Sequence, residues 1–206
     1  HLVEENIVSG FRNNVLGTMN LVDSIRRSSV EELVLISSDK AVDPKSVMGA
    51  TKRLAEMIVL NFSEKESSKI FSLVRFGNVM RSSGSVIPLF ENQIRNGGPV
   101  TVTDGRATRY FMTSLEASQL VIQASAMARG GEIFVLDMGE PIKIETLAKK
   151  MIHLHGKSFM GEYSGNDRSN EIEIKYTGLR AGEKLNEKLF ASEEFIKTSH
   201  PRIFVS

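Results

Sequence analysis

Apolar positions recur in two rhythms along this 206-residue chain. Val15, Met19, Leu21 and Ile25 fall at helical spacing and predict a helix over 8–27 with these residues on one side. Leu33-Val34-Leu35-Ile36 is an unbroken apolar run, which predicts a strand covered on both faces. It stops abruptly at Ser37-Ser38-Asp39-Lys40. A second helix is predicted over 48–63, with Leu54, Met57, Ile58 and Val59 as its apolar positions, and further strands over 70–76 and 133–136. Between those strands, Thr113-Ser114-Leu115-Glu116 has the form of a capping box. The helix it opens runs to about Arg129 and is stopped by Gly130-Gly131. Strands alternating with helices make an α/β fold with a parallel sheet. Ligands of such sheets gather at the carboxyl ends of the strands, where Ser37 to Lys40 and Gly77-Asn78 both lie.

The last third reads differently. Residues 164–170 are polar and turn-rich, and predict a loop. A strand is predicted over 171–176, followed by Gly178-Leu179-Arg180-Ala181-Gly182-Glu183-Lys184. We expect a half sheet built mainly from 1–80 and 113–137, and a small substrate lobe built mainly from 81–112 and 138–206. The opening, His1-Leu2-Val3-Glu4-Glu5-Asn6, has no initiator Met and runs straight into a helix. That pattern is expected inside a longer protein.

Composition narrows the function classes. Lys and Arg number 26 against 25 Asp and Glu, which gives no basis for nucleic acid or an anionic membrane surface as the main partner. Without cysteine there is no disulfide, thiolate nucleophile or Cys-ligated metal, in keeping with a cytoplasmic setting. His153 and His155 stand two apart on a predicted helix and point in different directions, so no metal site is expected. No apolar stretch approaches the ~18 residues that span a bilayer.

Several polar groups could carry chemistry. Ser38-Asp39-Lys40 places a hydroxyl, an acid and a base at a strand end; the ordinary alternative is a strand exit with a solvated ion pair. Met48 and Lys52 share one helical face, at the spacing where short-chain dehydrogenases carry Tyr and Lys. In those enzymes the Lys holds the nicotinamide ribose and its charge lowers the Tyr pKa. Met48 cannot transfer a proton, and a lone helical Lys is more often plain surface. Arg75-Phe76-Gly77-Asn78-Val79 and the nearby Ser82-Ser83-Gly84-Ser85 could offer N–H groups to a phosphate, or could simply connect elements. Arg109 and Arg180 suit a diphosphate through their planar forks, with surface salt bridges as the alternative for each. No Gly-x-Gly-x-x-Gly or Gly-x-x-Gly-x-x-Gly opens a helix anywhere, so these residues include no loop for a dinucleotide pyrophosphate.

Seven stretches together resemble the nucleoside-diphosphate-sugar epimerase/dehydratase family of extended short-chain dehydrogenases/reductases. They are Asn14-Val15-Leu16-Gly17-Thr18, Ser37-Ser38-Asp39-Lys40-Ala41-Val42, Met48-Gly49-Ala50-Thr51-Lys52-Arg53, Val74-Arg75-Phe76-Gly77-Asn78-Val79, Thr108-Arg109-Tyr110-Phe111-Met112-Thr113, Phe134-Val135-Leu136-Asp137-Met138-Gly139, and Gly178 to Lys184. They stand in the family's order over essentially the whole chain. The likeness is greatest to the large bacterial UDP-N-acetylglucosamine 4,6-dehydratases of polysaccharide and glycan synthesis, which carry Met where most relatives have Tyr.

The resemblance implies the C-terminal half of a Rossmann-like sheet with a small α/β substrate-binding lobe, the N-terminal dinucleotide-loop half lying elsewhere. It implies NAD or NADP as cofactor and a UDP-sugar as substrate. It also implies a homo-oligomer in the cytoplasm, with no nucleic-acid partner and no membrane contact from this segment, although larger members have a membrane anchor upstream. By position, Ser38, Asp39, Lys40 and Lys52 would be catalytic, with Lys52 and Ser37 at the cofactor. Met48, Asn78, Arg109, Arg180 and Glu183 would meet the substrate, and Asn14 would be the structural Asn beside the site. The implied reaction moves hydride from C4 to C6 of the sugar, with Lys40 the candidate base at C5 and Asp39 the candidate acid at the C6 hydroxyl. The C4 proton would leave through Ser38, a water or one of that pair. Two rivals remain: a C4 or C5 epimerase, which would call for Tyr at position 48, and a non-catalytic fragment or binding module.

Overall fold

The helix predicted over 8–27 forms, but not as one regular cylinder. In a computed structural model describing residues 2–82, 84–162, 170–190 and 195–206, the chain begins with α1 (Leu2–Glu5) and α2 (Ile7–Phe11). A π-helical turn, Arg12–Leu16, leads without a break into α3 (Gly17–Arg26). Then come β1 (Glu32–Ile36), a single 3-10 turn (Asp39–Ala41), α4 (Val47–Lys65) and β2 (Ile70–Arg75). A run of short elements follows: β3 (Asn78–Val79), α5 (Val86–Arg95), β4 (Val100–Val102), β5 (Thr108–Arg109) and β6 (Phe111–Met112). Next are α6 (Ser114–Met127), β7 (Ile133–Leu136), β8 (Ile142–Lys143), α7 (Ile144–Leu154) and β9 (Ser158–Phe159). The described elements end with β10 (Glu171–Ile172), β11 (Ile174–Tyr176), β12 (Ile196–Lys197) and β13 (Ile203–Val205).

These elements divide into two units. The first comprises 1–77, 115–138 and 187–206. Its sheet runs β1-β2-β7-β13-β12. The first three strands are parallel, while β13 lies antiparallel to β7 and β12 antiparallel to β13. Val22 and Ile25 of α3, Val59 of α4 and Phe71 of β2 are buried together, with Leu33, Leu35 and Phe62 packed against them. Parallel strands alternating with helices make this the α/β class that the pattern predicts.

Three details differ from expectation. The buried stripe of the first helix is Val15, Thr18, Val22 and Ile25, while Met19 and Leu21 are exposed. On α4 the inward face is Thr51, Ala55, Glu56 and Val59, and Leu54 and Met57 stand 41% and 52% exposed. β1 stands at the end of the described sheet, and the middle of its apolar run is half-buried rather than buried.

The second unit comprises 78–114 and 139–186. It is built from two-stranded ladders: β3 with β6, β4 with β11 and β9 with β10, all parallel, and β5 with β8, antiparallel. Phe90 and Ile94 of α5 and Ala148 and Ile152 of α7 close over Val100 and Val102 of β4. The strand predicted over 171–176 is interrupted at Glu173, so β10 and β11 join different ladders. The lobe does not extend through 206 as expected: residues 187–206 group with the first unit, because β13 completes its sheet against β7. Residues 164–169 of the predicted loop lie outside the described residues. Among the described residues no helix is long and apolar enough to cross a membrane.

Candidate active site

Strand neighbours point to opposite faces, so for Asp39 and Lys40 to act on one target the chain is expected to turn at Ser38. It turns one residue later. Ser38 is still extended (φ −149°, ψ 154°), and the 3-10 turn starts at Asp39. The Ser38 hydroxyl accepts from the Lys40 N–H at 3.3 Å and donates to Asp39 Oδ1 at 2.9 Å. Lys40 Nζ meets the same oxygen at 2.9 Å. Asp39 is fully buried, and among the described residues nothing hydrogen-bonds its second oxygen, Oδ2. This is no solvated ion pair. The strand end is latched as well: Ser37 N–H donates to the Val74 carbonyl at 2.8 Å and Asp39 N–H to the Phe76 carbonyl at 3.1 Å.

α4 starts beside this turn. Its N-cap, Ser46, accepts from Gly49 N–H at 3.1 Å, and the Glu4 carboxylate takes the Val47 and Met48 N–H groups at 3.0 and 2.9 Å. Together they satisfy donors that a helix start leaves free, and the carboxylate faces the positive end of the helix dipole. Gly49 is needed for close approach, since a Cβ there would collide with the Lys40 carbonyl oxygen. Met48 is half-buried and Lys52 stands one turn on. The Lys52 ammonium donates to the Ile36 carbonyl at 3.1 Å. Burial lowers its pKa, with the Glu56 charge pulling the other way. Asn14, in the π-turn, donates to Thr51 Oγ1 at 3.0 Å, and that hydroxyl donates to the Met48 carbonyl at 2.9 Å.

One group here was not read from the sequence. Glu56, 0% exposed, accepts from Ser37 Oγ at 2.6 Å, from Arg75 Nε and Nη2 at 2.7 and 2.6 Å, and from Arg53 at 2.9 Å. Ser37, expected at the cofactor, therefore has its hydroxyl committed to this carboxylate. The available signal was a charged residue on the same helical face as Lys52, four positions on.

In the second unit, Arg109 is buried and its guanidinium is held by its neighbours. Nη1 donates to the Thr108 and Leu185 carbonyls at 2.7 and 3.0 Å, and Nη2 to Glu183 Oε1 at 2.8 Å. Glu183 also accepts from Thr103 Oγ1 and from the Arg180 N–H, both at 3.1 Å. Arg109, Glu183 and the Arg180 main chain thus form one cluster, with the Arg180 residue exposed. Asn78 is half-buried at the start of β3, its N–H on the Tyr110 carbonyl at 3.0 Å. His153 and His155 diverge, Nε2 of the first meeting Glu162 and Nδ1 of the second the Met151 carbonyl.

The site residues thus fall into two groups, one in each unit. A sequence profile described as "Polysaccharide biosynthesis protein" matches residues 1–206. The capsular polysaccharide biosynthesis protein CapD of Staphylococcus aureus is 52% identical over 98% of this chain, which corresponds to 31% of CapD. A UDP-glucose 4-epimerase of Rickettsia rickettsii is 34% identical over 95% of this chain and 54% of its own length. Among solved structures, Pen from Bacillus thuringiensis superposes with a TM-score of 0.85 at 36% identity, over 99% of this chain and 61% of Pen. The NAD-bound dTDP-glucose 4,6-dehydratase DesIV of Streptomyces venezuelae shares the fold, with a TM-score of 0.76 at 19% identity over 91% of this chain and 61% of DesIV. The chain spans about a third of CapD and about half of the Rickettsia epimerase. It belongs to the polysaccharide biosynthesis protein family.

Proposed function

We propose that the protein carrying this chain is an NAD(P)-dependent 4,6-dehydratase acting on UDP-N-acetylglucosamine. The observation behind this reading is the Asp39–Lys40 pair. Moving one proton along its 2.9 Å hydrogen bond turns the ion pair into a neutral amine and a carboxylic acid. Those are the base and acid that an elimination needs. Lys40 takes the C5 proton while Asp39 protonates the departing C6 hydroxyl, and the pair is left charged as it began. Asp39 Oδ2, without a hydrogen-bond partner among the described residues, is the oxygen offered to the substrate, since a buried carboxyl oxygen left without a partner costs about 1–3 kcal/mol or more.

When bound, the dinucleotide would supply the hydride acceptor for C4 and the donor for C6, and Lys40 would return its proton to C5 as the hydride is delivered. What this chain offers it is Lys52, half-buried, with one of its three N–H donors on Ile36. Ser38 or a water carries the C4 hydroxyl proton, since Met48 cannot. An epimerase with its base at position 48 is disfavoured for the same reason, although the Rickettsia relative is named a 4-epimerase. Incubating the intact protein with UDP-N-acetylglucosamine and NAD(P) should yield a nucleotide sugar lighter by one water. A product of unchanged mass would replace this reading with an epimerase or with no reaction.

The two arginines should separate by their surroundings. Arg180, exposed, is assigned to the UDP diphosphate, so Arg180→Ala should weaken UDP binding by ~1.5–3 kcal/mol and leave the melting temperature nearly unchanged. Arg109→Ala should cost binding on the same scale, and also destabilise the fold by ~2–3 kcal/mol through the loss of its charge-assisted hydrogen bond to Glu183 and its bonds to the Thr108 and Leu185 carbonyls. UDP titration calorimetry and thermal melts of both variants check this. A fold as stable as wild type in Arg109→Ala would remove Arg109 from its structural role.

A further inference from the structure

Glu56 has no part in the reaction as written, yet a fully buried carboxylate taking hydrogen bonds from four donor groups on three residues is costly to assemble. Burial alone would raise its pKa; the hydrogen bonds from Arg75, Ser37 and Arg53, with the Arg75 charge, hold it below the usual carboxylate range. Each partner comes from a different part of the site's frame. Ser37 is the last residue before the Ser38–Lys40 turn, and Arg75 ends β2, whose next residue, Phe76, receives the Asp39 N–H. Glu56 itself lies one helical turn after Lys52, on the helix that also carries Met48.

We propose that Glu56 is a positioning residue for the reaction: its carboxylate bolts the end of β1 and the end of β2 to α4, and it holds a fixed negative charge beside Lys52. The charged groups facing it are Arg75 from β2 and Arg53 and Lys52 from its own helix; on the packed 3-10 turn, Asp39 and Lys40 pair with each other. The carboxylate thus does two things at once. It fixes the distance between the Ser38–Lys40 turn and the Met48–Lys52 face, and it offsets the desolvation of the Lys52 ammonium. A bolt that served folding alone could be replaced by apolar packing, because exchanging a buried ion pair for hydrophobic residues is often neutral or stabilising.

The inference rests on the proposed reaction for its kinetic part, and has a second readout that does not. In the intact protein, the Lys52 amine is titrated by the pH dependence of its acetylation, read by peptide mass spectrometry. In Glu56→Gln its midpoint should fall by about one pH unit or more, since removing an anion a helical turn away disfavours the ammonium. In the same variant kcat for water loss should drop ~10²-fold with KM little changed, the scale of a small misplacement of reacting groups. Should Glu56→Gln not fold, the double variant Glu56→Met with Arg75→Met removes the pair together. It should melt near wild type and still show the lowered Lys52 midpoint and the reduced kcat. A folded variant of either kind with Lys52 titrating as in wild type and full kcat would overturn the proposal. If the wild-type protein removes no water, the dehydratase reading fails, and the Lys52 titration alone decides the role of Glu56.

Discussion

Lys40→Ala in the intact protein is expected to abolish exchange of the C5 hydrogen with deuterated water and to lower turnover ~10²–10⁴-fold, the usual scale for losing a general base or acid. Asp39→Asn should behave differently. It keeps the shape of the buried side chain and leaves the Lys40 amine in place, so some C5 exchange should survive while water loss stops. The contrast follows from the shared proton: a side-chain amide at position 39 cannot deliver a proton to a leaving hydroxyl, whereas Lys40, whose side chain is 26% exposed, can still shed its own to solvent, so C5 exchange is slowed but not lost. Both variants should keep their fold, because the turn is fixed by main-chain bonds from Ser37 and Asp39 to the end of β2. Near-normal exchange in Lys40→Ala would move the base to Ser38 or to a bound water.

A second large effect is expected from a methyl group. Gly49→Ala adds a Cβ that would press on the Lys40 carbonyl oxygen, with Pro44 Cβ at 3.2 Å and Ser46 Oγ at 3.3 Å also crowded. Alanine is the better helix former by about 1 kcal/mol, so propensity alone predicts a gain. Overpacking costs about 1–3 kcal/mol, and the atom struck is main chain, which cannot swing aside. The clash wins. α4 and the 3-10 turn must separate, and Lys40 moves relative to Lys52. A net loss of stability of about 1–2 kcal/mol and a ~10²-fold fall in kcat are expected, checked by thermal denaturation and steady-state rates. A variant that melts higher than wild type with full activity would show that the turn yields at no cost.

The alternation of elements was legible because three apolar strand runs and two helical periodicities are strong signals, and β1, β2, β7, α4 and α6 stand close to where those signals put them. Which face of each helix turns inward was legible only in part: Val15, Ile25 and Val59 are buried as read, while Met19, Leu21, Leu54 and Met57 are exposed. Leu54 and Met57 have the apolar character of core residues, yet Glu56 and Thr51 occupy the buried face of α4, because hydrogen bonds from Ser37, Arg75 and Asn14 receive them there. Periodicity counts apolar residues and has no way to register a buried carboxylate satisfied from distant strands. The same holds at Arg109, whose partners Glu183 and Leu185 are more than seventy residues away. The turn at Asp39 was deducible only as a requirement, from two functional side chains that strand geometry would have sent apart. The sequence has no marker for the π-turn that carries Asn14, nor for the return of β13 to β7.

That return has a bearing on how the protein is made. β7 lies between β2 and β13, and its residues 134–136 pair with 203–205. On a ribosome adding about 5–20 residues per second, the partner strand emerges roughly 65 residues later, after an interval of about 3 to 13 s. Through that interval β2 and β7 can already be joined, while the far edge of β7 shows unpaired main-chain groups and the apolar side chains of Phe134 and Leu136. The nascent chain is therefore most open to chaperone capture, or to pairing with a neighbouring copy, in a window set by the length of the 137–202 segment. Slower translation of that segment would lengthen the exposure without altering a single contact of the finished sheet.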